Sequence, residues 1–367
     1  MVATTVKGID AWMAAVRGPA TRWKDHLERL SGEVAEVVHR PKFAIGTNDS
    51  FFCIGSCFAR NIEEHLLYSG VEVLSRKIVC PVEEWPSRVN GFVNKFTTAS
   101  IRNELEWVVV PPALDSSYFQ EQADGGWLDL QLSPHMPPVK LGRATERRAY
   151  LTADYFSRIR QASIVVVTLG FNEVWFDRAA GRHLNAAPSF YAARREPDRY
   201  ELHITDVNDN LTELDEIRRL ILSLNPDAKI VVTVSPVPLS ETFSGRDVLI
   251  ANQYSKSVLR AAADLFAHAH SDVDYFPSYD IIANSPRSSA YEPDCLHVAD
   301  SVVGRVIGSF LRLYLGIESA PPSFDERAYL KANPQVEAAV RRGDLGSGFE
   351  HWRSSGGDAV SRSTAAA

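Results

Sequence analysis

The stretch that decides the fold is "FFCIGSCFAR", residues 51 to 60. Its apolar run is followed directly by Gly55 and Ser56, and then by a helical pattern over 57 to 69 that Gly70 closes. An apolar run that ends in a glycine turn and enters an amphipathic helix is typical of a strand-turn-helix unit. We therefore expect a buried strand, a tight turn and a helix in this region.

The same unit recurs along the chain. The predicted strand runs are "FFCIGS" (51–56), "SIVVVTLGFNE" (163–173), "KIVVTVSPV" (229–237) and "VDYFPSY" (273–279). The main helical patterns cover 57–69, 206–224, 251–268 and 299–315. Because continuous apolar strands alternate with amphipathic helices, the sheet should be parallel and covered on both faces. The predicted fold class is α/β, a three-layer α/β/α sandwich with a mostly parallel sheet.

Segments outside this scheme divide the chain. We predict an N-terminal helical extension (1–43), a main domain (44–318), a small C-terminal helical module (319–357) and a disordered tail (358–367). Two insertions, 111–150 and 174–203, break the pattern and leave from strand ends. The first should be a hairpin or a long loop, and the second is of the same kind. Both are longer than packed connections usually are, so one or both are expected to cover the site.

Composition excludes several classes of protein. The chain has 367 residues, of which 45% are hydrophobic, and a formal net charge of −7. These values support an extensive core and argue against a nucleic-acid-binding surface. Four cysteines without CxxC spacing indicate neither a disulfide scaffold nor a zinc site. No stretch is typical of a membrane span or a signal peptide. We expect a cytoplasmic protein with reduced thiols and no bound metal or cofactor.

The candidate chemistry lies at two positions far apart in the chain. Ser56 is predicted at a helix N-terminus after a strand, where it is either a nucleophile or an N-cap. In "EPDCLHVADS" (292–301), two residues separate Asp294 from His297, so the carboxylate can orient the imidazole. A rival nucleophile is Cys57, whose side chain points about 100° away from residue 56 around the helix. A free cysteine usually packs as a small hydrophobe, which is the alternative for Cys57.

Several further blocks accompany these residues. They are "IGSCFA" (54–59), "NKFTTASI" (94–101), "TLGFNEVW" (168–175), "VSPVPL" (234–239), "ANQYSKSVLR" (251–260), "YFPSYDII" (275–282) and "DCLHVAD" (294–300). Over about residues 44 to 315 the chain resembles the GSCFA family, a branch related to the SGNH or GDSL hydrolases. The resemblance implies a flavodoxin-like sheet, with Ser56 as nucleophile, His297 as general base and Asp294 as its orienting partner.

The resemblance also implies an oxyanion hole. Its donors would be the backbone N–H of Ser56, Gly170 and the amide of Asn172, while Asn94 is a competing amide donor. Either asparagine could instead cap a turn. Glu173 and Trp175 follow on the same rim as candidate substrate contacts, and a salt bridge or local packing is the alternative for them.

The implied function is hydrolysis of an O-acyl ester through a Ser-His-Asp triad and an acyl-enzyme, without cofactor or metal. Residues 324–357 resemble a short helical module of bacterial proteins with a surface-polysaccharide context, which favours an acetylated carbohydrate over another small-molecule ester as substrate. Two alternatives stay open. One is an O-acyltransferase that acts on a polysaccharide or other glycan with the same residues, and the other is a non-catalytic carbohydrate-binding or scaffold protein.

Overall fold

A computed structural model describes residues 5–18, 20–23, 26–317 and 324–355. Its strands are β1 (Ser50–Gly55), β2 (Glu72–Val73), β3 (Gln120–Glu121), β4 (Trp127–Leu128), β5 (Ile164–Leu169), β6 (Glu173–Asp177), β7 (Arg182–Leu184), β8 (Tyr200–Ile204), β9 (Lys229–Val234) and β10 (Val273–Tyr275). Its α-helices are α1 (Gly8–Arg17), α2 (Leu27–Leu30), α3 (Cys57–Tyr68), α4 (Thr98–Val109), α5 (Leu141–Tyr150), α6 (Phe190–Arg195), α7 (Val207–Leu224), α8 (Val248–Ala269), α9 (Ser278–Ala283), α10 (Arg287–Ala290), α11 (Asp300–Leu315), α12 (Glu326–Ala332), α13 (Pro334–Arg342) and α14 (Gly348–Ser354).

The central sheet has five parallel strands in the order β2-β1-β5-β9-β10. Numbered within the sheet alone, this is the order 2-1-3-4-5 of flavodoxin-like doubly wound folds. Such a sheet reverses its winding between β1 and β5, and the loops after these two strands diverge to leave a crevice. The predicted α/β sandwich is confirmed.

Helices cover both faces of the sheet because its strands carry apolar side chains on both sides. Phe52 and Ile54 of β1 pack with α4, α7 and α8 in one core cluster. Phe51 and Cys53 of the same strand pack with α3, α9 and α11 in the other. Successive side chains of a strand alternate between the two faces, so the continuous apolar run of β1 supplies both cores.

The predicted helices are confirmed, with small shifts at their ends. The pattern over 57–69 forms α3, 206–224 forms α7 and 299–315 forms α11. The pattern over 251–268 forms α8, which begins at Val248 because Asp247 accepts a hydrogen bond from the N–H of Leu249. An N-capping aspartate of this kind starts a helix.

Both insertions have more regular structure than predicted. The first contains the hairpin β3-β4 and also the helix α5, which continues as a π-helix over Leu151–Tyr155. The second forms a separate antiparallel sheet in the order β7-β6-β8. The run 163–173 was therefore wrong as a single strand, since β5 ends at Leu169 and Glu173 begins β6.

The two terminal regions differ in how they pack. In the N-terminal extension, Trp12 of α1, Leu27 of the short α2 and Trp23 between the two helices are more than 70% exposed. At the other end, α12 and α13 insert Leu330 and Val340 into the cluster that contains Phe52. The predicted tail, 358–367, lies outside the described residues. In the described ranges, no helix has the length and apolar character that crossing a membrane requires.

Candidate active site

The site begins where β1 and β5 end. Gly55 has φ = 132°, and a Cβ there would stand 2.1 Å from the carbonyl oxygen of Thr168. The next residue, Ser56, donates its backbone N–H to that same oxygen at 3.1 Å. Only a glycine permits this close approach, and it places the N-terminus of α3 beside the end of β5.

Ser56 is the N-cap of α3. Its Oγ accepts the N–H of Phe58 at 3.4 Å and lies 3.2 Å from Oγ1 of Thr168. The residue is 2% exposed. Its hydroxyl therefore has the capping role that a serine commonly has at this position, and its backbone N–H, a predicted oxyanion donor, is already bonded to Thr168.

Cys57 is the first residue of α3 and is partly exposed. It lines a groove of about 1790 Å³ that His297 also lines. Burial raises the pKa of its thiol, while the positive charges of Arg88 and Lys256 act in the opposite direction. At rest the thiol is protonated, so it needs a base before it can attack a carbonyl.

Asp294 and His297 form the pair that their spacing predicted. Nδ1 of His297 lies 2.6 Å from Oδ2 of Asp294, whose other oxygen accepts the N–H groups of Leu296 and His297 at 2.9 and 3.0 Å. These hydrogen bonds lower the pKa of Asp294 to about 2. The turn depends on Cys295, which has φ = 57°. With Nδ1 facing a carboxylate, Nε2 is left to accept a proton from a nucleophile.

The pair is exposed, with 68% of the His297 side chain and 48% of the Asp294 side chain accessible to solvent. Among the residues that the structure describes, neither Ser56 nor Cys57 hydrogen-bonds to His297. Cys57 and His297 both line the same groove.

The two candidate asparagines have different surroundings. Asn172 is 1% exposed, donates its amide to the carbonyl of Thr205 at 2.8 Å and donates its N–H to Oγ of Ser255 at 3.1 Å. Its side chain is therefore engaged in holding the end of β8. Asn94 is 8% exposed, and its Oδ1 has no hydrogen-bond partner in the described part of the chain.

Neighbouring groups hold Asn94 close to β1. The next residue, Lys95, donates its N–H to the carbonyl of Gly55 at 2.7 Å. Asn185 donates its amide to the carbonyl of Asn94 at 2.9 Å. Gly170 lies on the same side, because a Cβ on it would meet the carbonyl oxygen of Phe96 at 2.7 Å. Of the two predicted amide donors, Asn94 is the one whose side chain is not engaged elsewhere.

Glu173 and Trp175 contact the loop that follows β9. Glu173 accepts the hydroxyl of Thr242 and the N–H of Phe243, the latter at 2.9 Å. Trp175 packs edge to face on Phe243, with 5.3 Å between ring centroids. The structure thus gives both residues a positioning role for the loop after β9, and direct contact with substrate stays a prediction.

Sequence analysis missed Lys256 of α8, which is 1% exposed and donates to the carbonyl of Gly170 at 2.8 Å. A signal was present, since Lys256 stands three and seven positions before Leu259 and Ala263 on the buried face of the predicted helix. Within the described ranges, no group of three or more His, Cys, Asp or Glu side chains is placed to hold a metal ion.

The strand order and the polar residues at the strand ends define a doubly wound α/β protein with a candidate site at its switch point. The chain belongs to the GSCFA family, whose model matches residues 50–310. Among solved structures, it is similar to a Clostridium thermocellum family 3 carbohydrate esterase at 10% identity and a TM-score of 0.32, over 72% of this chain and 94% of that one. No curated protein matches the chain significantly.

Proposed function

We propose that this protein is a serine esterase of SGNH type that removes an O-acyl group, such as acetyl, from a carbohydrate. The observation that carries the proposal is the Asp294–His297 pair, with Nδ1 and Oδ2 2.6 Å apart, on a groove that also reaches the first residue of α3. An imidazole oriented by a carboxylate is the general base of acyl-transfer enzymes. The groove volume of about 1790 Å³ exceeds the roughly 300–1,000 Å³ of ordinary ligand pockets, which favours an extended substrate.

The mechanism follows from these positions. The nucleophile attacks the ester carbonyl, and His297 accepts its proton and passes it to the leaving alcohol. Water then cleaves the acyl-enzyme with His297 again as base, which releases the acid and restores the nucleophile. The amide of Asn94 and the N–H of Gly170 are the proposed donors to the oxyanion.

The nucleophile lies in the Ser56–Cys57 dipeptide. The sequence-based assignment is Ser56. Its Oγ has to break the contact with Oγ1 of Thr168, by rotation about the Cα–Cβ bond, before it can attack. Cys57 is the second candidate, because its side chain already lines the groove with His297. The chemistry is the same in both cases, except that the intermediate is an ester on Ser56 or a thioester on Cys57.

The test is hydrolysis of p-nitrophenyl acetate by the wild type and by Ser56→Ala, Cys57→Ala and His297→Ala. We expect His297→Ala to lose about 10²- to 10⁴-fold in kcat/KM, as removal of a general base does. One of the two variants Ser56→Ala and Cys57→Ala should lose all activity above background, and the other should keep activity. Ser309→Ala, a serine of α11 that lines the same groove and has no role in the proposed mechanism, is the matched control.

The assignment can also be read directly. Acid quenching during turnover and fragment mass spectrometry would locate the acetyl group on Ser56 or on Cys57. Hydroxylamine at neutral pH would remove a thioester and leave an ester in place. Full activity of His297→Ala would contradict the proposed function, whichever residue is acetylated.

A further inference from the structure

Lys256 is a buried charge that the mechanism above does not use. Its Nζ donates to the carbonyl of Gly170 at 2.8 Å and lies 5.1 Å from the ring centroid of Phe171. The preceding residue, Ser255, accepts the N–H of Asn172 at 3.1 Å. Two adjacent residues of α8 thus hold both ends of the turn 170–172, which follows β5 and carries a proposed oxyanion donor.

The ammonium of Lys256 has no carboxylate partner in the described residues. The titratable group that interacts with it is Cys57, from α3. Around this pair, Arg88 is bonded to Glu64. One turn along α8, Arg260 is paired with Asp264 and Asp280, while Arg60 of α3 is paired with Glu63. Burial of an unpaired charge is costly, and burial lowers the pKa of Lys256 to about 7.

We infer that Lys256 is a positioning residue of this active site, which anchors the turn 170–172 and places a positive charge beside the nucleophile segment while the anionic intermediate exists. The inference rests on the proposed function. A neutral side chain of similar length would fill the same space at a lower desolvation cost, so packing alone does not account for a lysine here. A charge next to a developing oxyanion stabilises it strongly in a site shielded from water.

A pH dependence follows from this role. Below about pH 7 the amine of Lys256 is charged and supports the reaction, and above that pH it becomes neutral. Activity of the wild type should therefore fall on the alkaline side through about pH 7. Lys256→Met should be slower at pH 6.5 by roughly tenfold or more, the effect of about one hydrogen bond to a charged group, and should lack the alkaline fall.

The controls separate charge from structure. Lys256→Arg keeps its charge across this range, so its activity should stay level between pH 7 and pH 9. Ser255→Ala removes a neutral bond to the same turn and should keep the alkaline fall of the wild type. If Lys256→Met shows the wild-type rate and pH profile, the inference is wrong.

Two measurements do not depend on esterase activity. In a Cys295→Ser background, which removes the exposed thiol, Lys256→Met should slow alkylation of Cys57 by iodoacetamide several-fold at pH 6.5, where the unsubstituted Lys256 is charged. The pKa of Lys256 is lower in the folded protein than in the unfolded chain, so between about pH 7 and 10 the unfolded chain binds more protons. The Tm of the wild type minus the Tm of Lys256→Met should therefore rise with pH over this range.

These outcomes are distinguishable from failure of the proposed function. If the wild type hydrolyses no ester but the alkylation and Tm differences are as expected, the proposed esterase function is wrong, and the inference of a charged Lys256 beside Cys57 is still supported. Unchanged alkylation and a Tm difference that is independent of pH would overturn the inference even in an active enzyme.

Discussion

At the scale of single residues, the site depends on how closely two strand ends approach. Gly55 has φ = 132°. A Cβ added to it would lie 2.1 Å from the carbonyl oxygen of Thr168. Gly70 at the end of α3 also has a positive φ, 81°, but a Cβ there would have no neighbour within 4 Å. Substitution of Gly55 would therefore add both backbone strain and a steric overlap, whereas substitution of Gly70 would add backbone strain alone.

We predict that Gly55→Ala lowers the free energy of unfolding by about 3 kcal/mol or more, because strain and backbone overlap add. Gly70→Ala should cost about 1 to 2 kcal/mol, from strain alone. Denaturant unfolding of both variants measures the difference. Equal costs at the two positions would contradict a tight contact between Gly55 and Thr168.

The same scale shows which site residues can be predicted from sequence. Asp294 and His297 lie in one short turn, so their spacing alone predicted their pairing. Asn172 was not predictable in this way, because its amide bonds to Thr205, 33 residues away. The choice between Ser56 and Cys57 depends on where the first turn of α3 points, and that is set by Thr168, 112 residues from Ser56.

At the scale of elements, the segment 94–97 is held from outside by Asn185. This residue donates to the carbonyls of Asn94 and Leu132 at 2.9 and 3.1 Å and accepts the N–H of Phe96 at 2.9 Å. It lies directly after β7, in the second insertion. The insertion therefore supports the segment that carries a proposed oxyanion donor.

Asn185→Leu keeps a similar volume and leaves three backbone groups without these partners. Since a buried unsatisfied group costs about 1 to 3 kcal/mol, we expect a loss of about 3 kcal/mol or more in the free energy of unfolding. Asn208→Leu on the exposed side of α7 should change it by no more than about 0.5 kcal/mol. Chemical denaturation compares the two. A cost at Asn185 that matches the control would mean that the segment is held by other contacts.

Elements with apolar periodicity were predictable, and α5 shows why others were not. Its buried residues are Ala144, Arg147 and Arg148, so two of the three are charged. Arg148 is fully buried because Asp129 and Glu104 each accept from it at 2.7 Å. A helix whose buried face is charged has no hydrophobic stripe in its sequence, so 141–150 was interpreted as part of a hairpin or loop.

At the scale of the whole molecule, the C-terminal helices pack on the main core. Arg341 donates to the carbonyl of Trp85 at 2.8 Å, and the N–H of Cys80 returns to the carbonyl of Arg341 at 3.3 Å. Arg76 and Glu326 lie 3.5 Å apart, and both are almost fully buried. From these contacts we expect the C-terminal helical module that the sequence predicts over 319–357 to unfold in one cooperative unit with the main domain.

Leu330→Ala tests whether the unit is cooperative. Leu330 is 7% exposed and belongs to the cluster that contains Phe52 of β1, so its truncation should cost about 2 to 5 kcal/mol. The neighbouring Lys331 is exposed, and Lys331→Ala should be nearly neutral. In a cooperative molecule, circular dichroism and tryptophan fluorescence report one shared transition, and Leu330→Ala shifts both probes together. If the C-terminal helices fold on their own, Leu330→Ala should shift only a minor transition, and the main transition should keep its midpoint. In that case the C-terminal helices would not stabilise the sheet and its site.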